Sequence, residues 1–65
     1  MTATQLKANL RHLGLTRVGA ARLFGYDERT VRRWASGKWP VPRIVGIVMW
    51  LMVRFKVKPD DVPRV

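Results

Sequence analysis

The sequence predicts a small all-α domain of four short helices, and three observations carry that expectation. Apolar residues recur at helical spacing rather than in alternation. Glycines close the first three periodic segments, at Gly14, Gly25 and Gly37. A Thr, Asp or Pro suited to a helix start stands ahead of each segment. The chain has 65 residues, with 13 Lys and Arg, four Asp and Glu, one His and no Cys. That is the length of one domain, and a domain so small buries only about 60% of the surface its unfolded chain exposes. Without cysteine, neither a disulfide nor a thiolate zinc site can staple it. His12 and four scattered acids make a poor ligand set, so no metal or cofactor is expected. Association between subunits is the remaining staple.

The elements follow in order. Thr4 caps a first helix running to about Leu13, with Leu6, Leu10 and Leu13 on one stripe and Gly14 as a left-handed stop. His12 falls on the surface. Thr16 caps a second helix, Arg17 to Phe24, which Gly25 ends. It spans about two turns, too few to persist in water without tertiary packing. Asp27 caps a third helix from Glu28 to about Ser36, where its carboxylate also meets the positive end of the helix dipole. Lys38-Trp39-Pro40-Val41-Pro42 reads as a loop, because a proline pushes the residue before it out of helical geometry. Pro42 fits the first turn of a fourth helix that continues to roughly Phe55. Pro59 and Pro63 rule out much regular structure beyond. The domain is thus expected over 1–58, with 59–65 as a tail.

Charge narrows the class of partner. A formal net charge of +9 calls for a polyanion, either nucleic acid or an anionic membrane surface. The cations are also clustered: Arg29, Arg32, Arg33, Lys38 and Arg43 occur with no acid among them. The longest apolar run, Ile44 to Val53, is about half of what a bilayer requires, and Arg43 and Arg54 flank it. No secretory signal is visible, and a cytoplasmic location away from membranes is expected.

The third helix divides by phase. At 100° per residue, Glu28, Arg29, Arg32, Arg33 and Ser36 share an arc of about 140°, while Val31, Trp34 and Ala35 lie opposite. Ordinary solvated faces mix signs so that acids pair with bases. Here Glu28 stands against three arginines, a repulsion that a polyphosphate would remove. The second and third helices meet at a tight corner through Gly25, Tyr26 and Asp27, with Ala20 and Ala21 small enough for close approach. Tyr26 reads as the edge of the core, and Trp39 as packing against the fourth helix.

The run from Leu15 to Gly37 resembles the helix-turn-helix of the Cro and phage-repressor (XRE-type) family, whose fold is lambda-repressor-like. The resemblance rests on the alanine in the first motif helix, the glycine of the turn, the Thr30-Val31-x-x-Trp34 run, the closing Gly37 and a proline-containing approach to the next helix. With the first helix and Pro42 onward it extends over most of the chain. Small regulators encoded beside anti-CRISPR genes are similar too. Ala35 departs from the pattern, because many relatives carry glutamate there. The resemblance implies a transcriptional regulator, a repressor in kind, whose third helix enters the major groove of double-stranded DNA. It makes Glu28, Arg29, Arg32 and Arg33 the base readers and Thr16, Arg17, Lys38 and Arg43 the phosphate contacts. Arginine pairs bidentately with guanine, so G·C pairs are expected in the site.

Ile44 to Val53 is apolar on every side. The expectation is that Ile44, Ile47, Val48 and Leu51 close the core. Val45, Met49, Trp50 and Met52 are then left for a homodimer interface, and a two-fold dimer would match a (pseudo)palindromic operator. A competing reading is a helical interaction module, antitoxin-like or part of an assembly, that binds another protein through the fourth helix. A membrane-active basic peptide is a third reading, opposed by the caps and turns. No nucleophile with a positioned base is apparent, so no enzymatic activity is expected.

Overall fold

The caps set the frame of the fold. In the computed structural model, which describes Met1–Val62, four α-helices follow one another: α1 (Ala3–Leu13), α2 (Arg17–Phe24), α3 (Glu28–Ala35) and α4 (Arg43–Arg54). No strand occurs among the described residues, and a single 3-10 turn, Pro59–Asp61, opens the predicted tail. Pro63 and the rest of that tail, residues 63–65, lie outside the described residues.

Helix α1 starts two residues earlier than Thr4 would place it. Thr2 is the cap: its hydroxyl accepts from the Gln5 N–H, while the Gln5 side chain accepts from the Thr2 N–H. This reciprocal pair satisfies two otherwise orphaned donors, which Thr4 could not do from inside the first turn. Thr16 caps α2 by accepting from the Gly19 N–H at 3.0 Å. Asp27 caps α3 by accepting from the Arg29 N–H at 2.8 Å. Pro42 precedes α4 without a side-chain cap.

The four C-termini close alike. In each, the amide just past the helix reaches back five residues: Leu15 to Leu10, Tyr26 to Ala21, Lys38 to Arg33 and Val57 to Met52, at 2.8–3.0 Å. The residue between must adopt positive φ. Gly25 does so at the α2–α3 corner (φ 76°), but at the end of α4 the position is Lys56 (φ 56°), the one such non-glycine among the described residues. A side chain in that region is strained.

The core is apolar throughout, with no polar or charged side chain buried among the described residues. Leu6 and Leu10 of α1 meet Ala20 and Ala21 of α2, then Val31, Trp34 and Ala35 of α3, with Val41, Val45 and Met49 closing the far side. Helix α1 packs against both α3 and α4. The two alanines let α2 and α3 come together, as their size suggested.

The face of α4 is reversed from expectation. Val45, Met49 and Met52 are buried, whereas Ile44, Ile47 and Leu51 are exposed and Val48 is half-buried. Assigning Val45, Met49 and Met52 to a dimer interface is therefore incorrect, and of that group only Trp50 lies on the surface. The physical cause is that α4 carries two apolar stripes, each with sound helical spacing. The stripe of Val45, Met49 and Met52 is the one that meets α1, where unbranched thioethers fill irregular gaps. Burying a side chain such as Met49 contributes about 1.5–3 kcal/mol.

Candidate nucleic-acid interface

Helix α3 owes its orientation to its back. Val31 and Trp34 are fully or almost fully buried. The Tyr26 ring meets Trp34 edge-on, with centroids 4.8 Å apart and planes at 74°. Such a pair adds about 0.5–1.5 kcal/mol beyond area burial. With one side anchored, the arc holding Glu28, Arg29, Arg32, Arg33 and Ser36 faces away from the core. Arg29, Arg32 and Ser36 are exposed, and Glu28 and Arg33 are half-buried.

The three guanidinium groups differ in their surroundings. Arg29 forms no side-chain hydrogen bond or ion pair with the described residues. Arg32 donates to both oxygens of Glu28, at 2.9 and 3.3 Å, one turn back. An exposed pair of this kind contributes about 0.3–0.5 kcal/mol, so it yields readily to a competing anion. Arg33 lies over the Trp39 ring, with its guanidinium carbon 4.3 Å from the centroid. Trp39 is therefore the platform for Arg33, still 44% exposed, rather than a filler against α4. The Trp39 and Lys38 amides both donate to the Arg33 carbonyl, which ties this loop to the end of α3.

The other anticipated contacts fall in different places. Thr16 is exposed but its hydroxyl is engaged as the α2 cap. Lys38 is exposed in the loop next to Trp39. Arg17, at the first residue of α2, joins Lys7 and Arg11 of α1 around a shallow depression that also touches Ala35 at the end of α3. Lys7 and Arg11 did not stand out in the sequence, although their i, i+4 spacing on the polar side of α1 was the available signal. Arg43 lies elsewhere, lining a groove between α1 and α4. The structure thus gathers Arg29, Arg32, Arg33 and Lys38 around α3 and adds a second basic group, Lys7, Arg11 and Arg17, near its end.

Among the described residues, no three His, Cys, Asp or Glu side chains come together in a way that could hold a metal ion. Nor is any helix among them long and apolar enough to cross a membrane. No family model matches the chain, and no curated protein or solved structure shows significant similarity to it.

Proposed function

We propose that the protein is a cytoplasmic, sequence-specific DNA-binding regulator of helix-turn-helix type, a repressor of the phage or mobile-element kind, with α3 as its recognition helix. One observation carries the reading: α3 is anchored by Val31 and Trp34 and turns outward an arc with three arginines and a single acid. Arg29 and Arg32 are the leading base readers, with Glu28 exchanging its hold on Arg32 for contact with a base edge. Arg33 and Lys38 extend the arc towards phosphate. Thr16, Arg17, Lys7 and Arg11 supply backbone contacts on the far side of α3, which position the domain without reading sequence. Arg43 is withdrawn from this set because it lines a different groove. No catalytic role is proposed.

Two copies are part of the reading. The protein measures 29 Å in its longest dimension, whereas half-sites one turn apart are separated by about 34 Å. A single copy therefore reads one half-site, and a two-fold pair reads a (pseudo)palindrome.

Selection of bound sequences from a random duplex pool tests the proposal. A recovered motif containing G·C pairs in two-fold repeats is the expected result, with affinity falling steeply as salt rises. Arg32→Ala should relax base preference by about 1–3 kcal/mol, and Lys38→Ala should weaken all duplexes alike. If neither substitution, nor Arg29→Ala, alters duplex affinity, the apolar outer side of α4 favours the protein-interaction reading instead.

A further inference from the structure

One arginine of α3 is held by an aromatic ring rather than by an acid. The Arg33 guanidinium carbon lies 4.3 Å from the centroid of the Trp39 ring, whereas the ion pair on this helix belongs to Arg32. The ring comes from the loop beyond the helix, and the backbone carries it back. Gly37 turns the path with φ 79°. The Lys38 and Trp39 amides then donate to the Arg33 carbonyl at 3.0 and 3.2 Å, and the Ser36 hydroxyl donates to the same oxygen at 3.1 Å. Arg33 is thus fastened to the loop by both its main chain and its side chain. Trp39 itself stays 44% exposed and outside the apolar core, so core packing does not account for it.

We propose that Trp39 is a positioning residue that sets sequence preference without touching a base: it draws Arg33 off the base edges and turns it to a phosphate. The inference rests on the DNA reading and gives a role to a residue which that reading leaves idle. A guanidinium carries its five N–H donors in its own plane, so a ring over its face leaves the donating edges free. The stack and a phosphate contact therefore coexist. On Arg32 the situation is different, because Glu28 competes with any incoming anion for the same nitrogen. Direction matters as well. Arg33 stands near the end of α3 and leans on the loop that follows, away from the N-terminal turns that meet base edges. Arginine is the commonest partner of guanine, so a guanidinium released from the ring would compete to read one. The exposed Lys38 beside Trp39 extends the same cationic edge.

The free protein and the duplex complex test this separately. In the free protein, the ring current of Trp39 should displace the Arg33 Nε–H resonance upfield, the resonance being identified by its loss in Arg33→Lys. Trp39→Leu should abolish the displacement and Trp39→Tyr should keep it, with unchanged helix content by circular dichroism in both. Trp39→Leu should weaken binding to random duplex about two- to fivefold, and Trp39→Tyr should restore it. Sites selected from a random duplex pool by Trp39→Leu should gain a G·C preference at one position per half-site, which Arg33→Ala in the same chain should remove. An undisplaced Arg33 resonance overturns the proposal. So does a Trp39→Leu protein with unaltered affinity and an unaltered motif while Arg29→Ala or Arg32→Ala weakens binding, a result that leaves the DNA reading standing. If none of these substitutions alters duplex binding, the DNA reading falls and takes this role with it.

Discussion

Helices α3 and α4 solve opposite problems with similar lengths of chain. Helix α3 carries one apolar arc and one cationic arc, so only one orientation buries the first without burying the second. Helix α4 is apolar on both of its available sides, and its own sequence permits two orientations. The difference teaches where amphipathic pattern stops being informative. For α3 the cost of burying an arginine decides the phase, since an unpaired buried charge is expensive. For α4 no such penalty exists, and the neighbouring helix decides.

That contrast can be broken experimentally. The largest effect is expected at Met49, which is fully buried. Met49→Ala should cost about 2–5 kcal/mol, enough to unfold much of so small a domain. Ile44→Ala in dilute solution should shift the thermal midpoint hardly at all. Equal effects at the two positions would mean that α4 has no distinct inner side. A smaller effect is expected at the helix starts. Asp27→Ala removes the α3 cap and should cost about 1 kcal/mol by chemical denaturation. Helix α4 has no side-chain cap to lose. Lys56→Gly relieves the left-handed strain after α4 and should raise stability by about 0.5–1 kcal/mol, read as a higher melting temperature. The smallest effect on stability is expected from Glu28→Gln, a few tenths of a kcal/mol. In the same variant binding to random duplex should rise, because one negative charge beside the proposed polyanion is gone, while preference at the base that Glu28 is proposed to read should fall.

Much of the fold was legible because its signals are local. Thr16 and Asp27 cap the helices they precede, Gly25 takes the left-handed corner, and Val31 and Trp34 fall on the buried side as their phase requires. Each depends on residues within a turn of one another. The errors share a different origin. Which stripe of α4 faces inward depends on α1, more than thirty residues away in sequence. The gathering of Lys7 and Arg11 with Arg17 depends on how α1 and α2 meet. The seat of Arg33 on Trp39 depends on the path of the loop between α3 and α4. Local spacing encodes none of these. Thr2 was different: its capping partner Gln5 is local, and Thr4 stood as a competing candidate for the same start.

The stack of Arg33 on Trp39 has a consequence for binding of any anion at that end of α3. A free arginine samples many rotamers and must surrender that freedom when it grips a ligand, a loss of about 0.5–1.5 kcal/mol per side chain. Resting on an indole, Arg33 has been disciplined in advance during folding. Its contact should cost less side-chain entropy than that of Arg29, which has no side-chain partner among the described residues.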